Sequence, residues 1–272
     1  MKIYKSIDEF NLVKDDLTDL SYVPTMGNLH KGHISLIDSA KKYGNEIISS
    51  IYINSLQFND ENDFINYPKT LDKDIELLKY HGCDHLLIPD DSLLDDIEFI
   101  NAPFKSNKLC GLTRSGHFDG VLTILNKFFK IIRPHIAIFG KKDYQQLILI
   151  KDFIKEKNLK ISIIGEETIR EINGLALSSR NSLLSNKDKL KASKIFEVLN
   201  NIKLNKNDLS IDLLNSNIEY LESCGLTVDY LTACDTETLD ESFNISEKDI
   251  LVAVAAKLGD VRLIDNIIIP KL

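Results

Sequence analysis

Short runs dominated by apolar residues alternate with longer amphipathic ones through the first two thirds of the chain. The run at 46–53 is rich in β-branched residues and reads as a buried parallel strand, 136–139 reads as a buried strand, and 20–23, 84–89 and 160–165 read as further strands. Between them, 34–43, 67–81, 120–132 and 144–157 read as helices. In 67–81, Leu71, Ile75 and Leu78 fall on one face, with Gly82 as the stop, and Arg133-Pro134 closes 120–132. The alternation predicts an α/β domain over residues 1–167, a doubly wound parallel sheet whose ligands bind outside the carboxyl ends of its strands. Beyond about residue 168 the pattern changes. Helices are expected at 187–200 and 209–224, and strands at 227–234, 250–256 and 261–269, the last two joined at Leu258-Gly259-Asp260. That describes a smaller α+β domain over 168–272, with no Pro- or Ser-rich linker before it.

Composition narrows the function classes. With 272 residues, 43% of them hydrophobic, the chain can bury a sizeable core. A net charge of −8 speaks against non-specific nucleic-acid binding but not against a local basic pocket for a polyanion such as ATP. The cysteines (Cys83, Cys110, Cys224, Cys234) form no C-x-x-C pair and read as reduced thiols of a cytosolic protein. The opening MKIYKSIDEF lacks a signal-peptide core, and no run is long enough to span a bilayer. Neither G-x-G-x-x-G nor G-x-x-x-x-G-K-[ST] occurs, so dinucleotide redox and Walker-type chemistry are poorly supported.

Polar segments follow the predicted strands. YVPTMGNLHKGHISL reads as strand, tight loop and helix, which aims helix N-terminal amides at an anion. It carries His30 and His33 around Gly32, two imidazoles able to donate to phosphate oxygens. Asn54 and Gln57 suit hydroxyl and carboxylate groups of a small substrate, though Asn54 also fits a turn cap. Arg114 and His117 fit a phosphate or carboxylate, or a solvated loop, with Asp119 a helix cap. In Gly140-Lys141-Lys142-Asp143, Lys142 is the phosphate candidate and Asp143 a ribose or magnesium candidate, while Lys141 reads better as solvated; Gln146 lies one turn into the helix. Ser178-Ser179-Arg180 supplies two hydroxyls and a guanidinium, a phosphate-clamping set. Its plainer alternative is a turn in which Asn181 and Ser182 cap the next helix.

The H-x-G-H spacing resembles the nucleotidyltransferase signature. Taken with INSLQF, SGHFDGV, FGKKDYQQ and REINGLALSSRN, the stretch PTMGNLHKGH resembles the pantothenate synthetase (pantoate–β-alanine ligase) family in order and separation. The matching stretches span residues 24–181; beyond them the likeness is one of length and texture. The resemblance implies a cytosolic homodimer with a Rossmann-like nucleotide domain and a smaller carboxy-terminal lid. It implies joining of (R)-pantoate to β-alanine with ATP and Mg2+, through pantoyl adenylate, releasing AMP and pyrophosphate. It assigns ATP to Met26, Gly27, Asn28, Leu29, His30, Lys31, Gly32 and His33, with His33 as proton donor. Gly140, Lys141, Lys142, Asp143, Ile169, Leu177, Ser178, Ser179 and Arg180 complete the ATP set. Gln57 and Gln146 would hold pantoate, with Asn54, Arg114 and His117 as further substrate candidates. Metal ligands stay unassigned, Asp72 and Asp74 being weak candidates.

Four departures from the family pattern stand out: Ser55 for Pro, Lys141 for Glu or Gln, Asn173 for Asp and Leu177 for Met. Two rivals are weighed. One is an H-x-G-H enzyme making a nucleotide-linked product, against which Gln57, Gln146 and S-S-R-N argue. The other is a nucleotide-binding regulator without turnover, which leaves both histidines, Lys142 and Arg180 unexplained.

Overall fold

A computed structural model of the chain describes residues 1–44 and 46–272. In chain order its elements are β1 (Lys2–Tyr4), α1 (Ile7–Asn11), β2 (Leu20–Thr25), α2 (Lys31–Ala40), β3 (Glu46–Ile51), α3 (Glu61–Ile65), α4 (Leu71–Tyr80) and β4 (His85–Leu87). There follow α5 (Cys110–Thr113), α6 (His117–Ile132), β5 (Ile136–Gly140), α7 (Tyr144–Glu156) and β6 (Ser162–Glu166). The remainder comprises α8 (Asn186–Ala192), α9 (Lys194–Leu204), α10 (Ile211–Ser223), β7 (Thr227–Asp235), β8 (Ile250–Leu258) and β9 (Val261–Ile269). Two compact units result. The first holds Met1–Asn107, Gly111–Lys141 and Gln146–Glu167; the second holds Lys108–Cys110, Lys142–Gln145 and Thr168–Leu272.

In the first unit six strands lie in the order β1-β4-β3-β2-β5-β6, every pair parallel. Both faces are buried, and the period of two sorts the strand residues between them. Tyr22, Ile48, Leu87 and Ala137 join Phe128 and Phe129 of α6 in one cluster. Their neighbours Val23, Ile47, Leu86 and Ile138 join Ile37 of α2 and Leu78 of α4 in another. The strand order reverses between β2 and β5, which opens the crevice where such sheets take ligands.

Several boundaries differ from expectation for identifiable reasons. β2 continues through Pro24 to Thr25. Proline is tolerated there because pairing to β5 ends at Tyr22, so no partner needs its missing N–H on that side. α4 starts at Leu71 rather than 67, since Pro68 and the residue before it disfavour a helical start. α6 starts at His117, three residues before the expected 120, with Gly116 (φ +76°) as its cap. Asp119 is therefore inside the helix, where it accepts the Ala102 N–H at 2.7 Å; it is not the cap. β1 and α3 were too short to show a period.

In the second unit β7, β8 and β9 form an antiparallel meander, the last pair joined by a two-residue turn at Gly259 (φ +58°) and Asp260. Ile195, Leu199 and Ile202 of α9 with Leu214 and Leu221 of α10 pack against Leu231, Val252 and Val254. The single helix expected at 187–200 is two, α8 and α9, broken at Ser193, which ends one and starts the other.

Candidate active site

Within the first unit the loops after β2, β3 and β5 leave the same edge of the sheet, because the strands are parallel. After β2 the chain turns left-handed at Gly27 (φ +83°) and Asn28 (φ +48°). A buried carboxylate fixes that turn: Asp74 of α4, 1% exposed, accepts the N–H of Asn28 at 2.9 Å, of Leu29 at 2.8 Å, and the Thr70 hydroxyl at 3.1 Å. Asp74 thus works as a loop anchor, and Asp72 is exposed.

The turn delivers His30 to the start of α2. His30 Nδ1 accepts the Gly32 N–H at 3.1 Å, and His33 Nδ1 accepts the His30 N–H at 3.3 Å. Each Nδ1 is therefore an acceptor, and each neutral ring carries its hydrogen on Nε2. The ring centroids are 4.2 Å apart, so one short segment presents two Nε2–H donors beside the α2 N-terminus. Lys31 is exposed at the first helical position, and Leu29 is buried.

After β3, Asn54 is spent on the fold. Its Oδ1 accepts the Leu56 N–H at 3.1 Å, and its Nδ2 donates to Gln57 Oε1 and to Gly120 O, each at 3.1 Å. The turn-cap reading describes it, with the orientation of Gln57 as its further effect. Gln57 Nε2 donates to Met26 Sδ at 3.0 Å, so the first two loops meet. His117 Nδ1–H donates to the Gln57 carbonyl at 2.7 Å. That leaves Nε2 to accept from Arg114 Nη1 at 3.1 Å, and Arg114 Nη2 reaches the same carbonyl at 3.2 Å. Arg114 and His117 thus grip the Gln57 backbone. A Cβ on Gly120 would lie 2.2 Å from Leu56 O, so only glycine admits this approach of α6. After β5, Gly140 pairs with Glu166, Lys141 forms an ion pair with Glu167, and Gln146 is half-buried on α7.

The second unit holds the other candidates. The Lys142 carbonyl accepts from Asn266 Nδ2 at 2.8 Å, fastening this residue to β9; Asp143 is exposed. Ile169 and Leu177 face one another across a short hairpin, Leu177 N–H donating to Ile169 O at 2.9 Å. Arg170 clamps that hairpin: Nη2 donates to Asp265 Oδ1 at 2.9 Å, Nη1 to Asp265 Oδ2 at 2.5 Å, and the guanidinium lies 4.1 Å over the Phe196 ring. The Ser178 hydroxyl accepts the Arg180 N–H at 3.3 Å and starts the 3-10 turn Ser179–Leu183, on which Arg180 is half-buried. The alternative in which Asn181 and Ser182 cap the next helix fails. Ser185 caps α8, and Asn181 Nδ2 donates back to Ala176 O at 3.0 Å. Lys142, Ser178 and Asn181 line one narrow cavity of this unit.

The sequence model of the family described as pantoate-beta-alanine ligase matches residues 2–268. The chain belongs to that family. It is 41% identical to a pantothenate synthetase of Methylobacillus flagellatus, over 91% of each chain. A solved pantothenate synthetase from Thermus thermophilus superposes with a TM-score of 0.90 at 29% identity, covering 99% of this chain and 100% of that one. A pantoate-beta-alanine ligase from Francisella tularensis, solved with beta-gamma ATP and beta-alanine, gives 0.84 at 35% identity over 98% and 97%. Likeness to the ligase family therefore extends well past residue 181, where the recognisable motifs stop.

Three positioning roles in this ligase-family fold escaped the sequence reading: the loop anchor at Asp74, the Gly120 approach, and the Arg170–Asp265 clamp. Asp74 was read only as a weak metal candidate, because nothing in LDKDIELL marks its carboxylate as buried. For Gly120 a faint signal existed, a glycine at the start of a predicted helix. For the clamp there was none. No helix of the described residues is long and apolar enough to cross a membrane.

Proposed function

We propose that this chain joins (R)-pantoate to β-alanine at the expense of ATP, in two steps. The pantoate carboxylate attacks the α-phosphorus and pyrophosphate leaves; the β-alanine amine then attacks the acyl carbon of pantoyl adenylate and AMP leaves. The observation that carries this reading is the pair of Nε2–H donors set at the start of α2, in a chain that matches the ligase family from residue 2 to 268.

The first step drives one anion onto another, so donors and positive charge around the α-phosphate lower its barrier. We assign that work to His30 and His33, with His33 donating its Nε2 proton toward the departing pyrophosphate oxygen. Met26 to Lys31 would line the nucleotide, as would Gly32, Gly140 and Lys141. Lys142 and the segment Leu177, Ser178, Ser179 and Arg180 are assigned to the phosphates, Asp143 to the ribose, and Ile169 to the adenine or ribose. Gln57 and Gln146 would hold pantoate; Asn54, Arg114 and His117 support Gln57. Binding both reactants supplies orientation.

Magnesium fits as part of the nucleotide rather than as a resident ion. The described residues contain no group of three or more His, Cys, Asp or Glu that could hold a metal, and Mg2+ commonly keeps its waters and takes substrate phosphates. The same reading carries a cytosolic homodimer, which light scattering on the purified protein would check. The deciding experiment is exchange of labelled pyrophosphate into ATP. Exchange that requires pantoate, followed by equimolar AMP and pantothenate once β-alanine is added, is the expected result. Exchange with a phosphorylated substrate instead, or AMP release with neither acid nor amine, would overturn it.

A further inference from the structure

Asn181 is 5% exposed, and its amide is asymmetrically used. Nδ2 donates to Ala176 O at 3.0 Å, which fixes the amide orientation, since a flip would set oxygen against oxygen. Oδ1 is then buried with no protein donor in reach. An orphaned buried acceptor is costly, so such an atom calls for an explanation. It lies at a narrow cavity of ≈ 10 Å³ that Lys142 and Ser178 also line, together with Asp265, Ile195 and Phe196. That is about the space of one water.

Two residues that line the cavity carry a side-chain hydrogen donor, Ser178 and Lys142. Ser178 already accepts the Arg180 N–H and starts the 3-10 turn. Lys142 has its backbone tied to Asn266 on β9, and among the described residues its ammonium has no carboxylate partner. The carboxylate in the cavity lining, Asp265, is taken in both oxygens by Arg170.

We propose that Asn181 is a positioning residue for Lys142: a single water in this cavity donates to its Oδ1 and accepts one hydrogen of the ammonium, and so aims the remaining charge at the phosphates. This rests on the ligase reading, in which Lys142 contacts the triphosphate. It gives the asparagine of S-S-R-N a task distinct from that of the three residues before it. The amide holds the turn through Nδ2 and orients the lysine through Oδ1.

The test is a double-mutant cycle on pantoate-dependent adenylation in single turnover, with Asn181→Leu, Lys142→Gln and the pair. Asn181→Leu should slow adenylation about tenfold or more, the loss of one charge-assisted hydrogen bond, with the KM for ATP moving less. In the Lys142→Gln background the same change should have almost no further effect. Urea unfolding of Asn181→Leu and of the pair separates the two ends of the amide, since loss of the Nδ2 bond to Ala176 lowers stability in either background while loss of the Oδ1 contact lowers the rate only when Lys142 is present. Additive losses of rate would overturn the proposal and leave Asn181 a purely structural residue. A wild-type protein without pantoate-dependent exchange would instead sink the ligase reading itself.

Discussion

Asp74→Asn is the sharpest probe of how the histidine loop is built. The carboxylate accepts two backbone N–H groups, those of Asn28 and Leu29, and the Thr70 hydroxyl. An amide has one acceptor oxygen. Whichever way it turns, its NH2 group faces one of those N–H donors. One charge-assisted hydrogen bond is lost, at about 1.5–3 kcal/mol, and a buried N–H is left without a partner. Because the site is closed to water, the combined loss should be about 3 kcal/mol. Part of it will be relieved by the loop leaving its left-handed turn, and then both Nε2–H donors lose their position. If the full amount appeared in the transition state, adenylation would slow about a hundredfold. Urea unfolding and pantoate-dependent pyrophosphate exchange measure the two effects. Asp74→Asn with the wild-type unfolding midpoint, exchange rate and KM for ATP would refute the reasoning, because the loop would then hold itself.

Three further outcomes are expected. His33→Ala should slow adenylation by about 10²–10³-fold while circular dichroism stays native, since it removes one donor to the developing charge; a near-normal single-turnover rate would contradict the assignment. Gly120→Ala puts a methyl 2.2 Å from Leu56 O, so α6 and the Gln57 loop must separate, costing about 1–3 kcal/mol by urea unfolding and raising the KM for pantoate. Burial opposes ionisation of Asp235, yet the Lys248 ammonium and the N–H groups of Thr238 and Glu237 outweigh it and hold the carboxyl at about 2. Its folded value lies below the unfolded one of about 3.9, so it stabilises the fold above pH ~4 and that contribution fades as pH falls toward ~2. Wild type should therefore exceed Asp235→Asn by about 1–2 kcal/mol at pH 7, discounted because Lys248 is exposed, and the gap should close in acid.

Much of the fold was legible because buried parallel strands announce themselves. Runs such as Glu46–Ile51 are buried on both faces, so nearly every residue is apolar or small. Helix limits were harder wherever proline or a left-handed cap intervened, as at Pro68, Gly116 and Ser193. The candidate residues themselves were readable as polar groups placed after strand ends. Their supports were not, because each is a long-range pair: Asp74 reaches Asn28 across 46 positions and Arg170 reaches Asp265 across 95. No local period encodes such partners. A buried anchor and a solvated charge have the same letter.

The two adjacent lysines show the same limit in its sharpest form. Read along the chain, Gly-Lys-Lys-Asp offers two positive charges, and Lys141, standing where the family usually has Glu or Gln, looks like an addition to the field on the triphosphate. In the fold Lys141 is matched by Glu167, the residue just after β6, whose last residue pairs with Gly140 at the end of β5. Adjacent parallel strands thus bring the offsetting carboxylate to the position where the extra ammonium appears. Such an exposed pair adds little to stability, but at short range it removes most of the surplus charge. Lys142 has no such match among the described residues. Lysine at 141 therefore leaves the local charge near what an uncharged residue would give, and the proposed phosphate contact falls to the second lysine rather than the first.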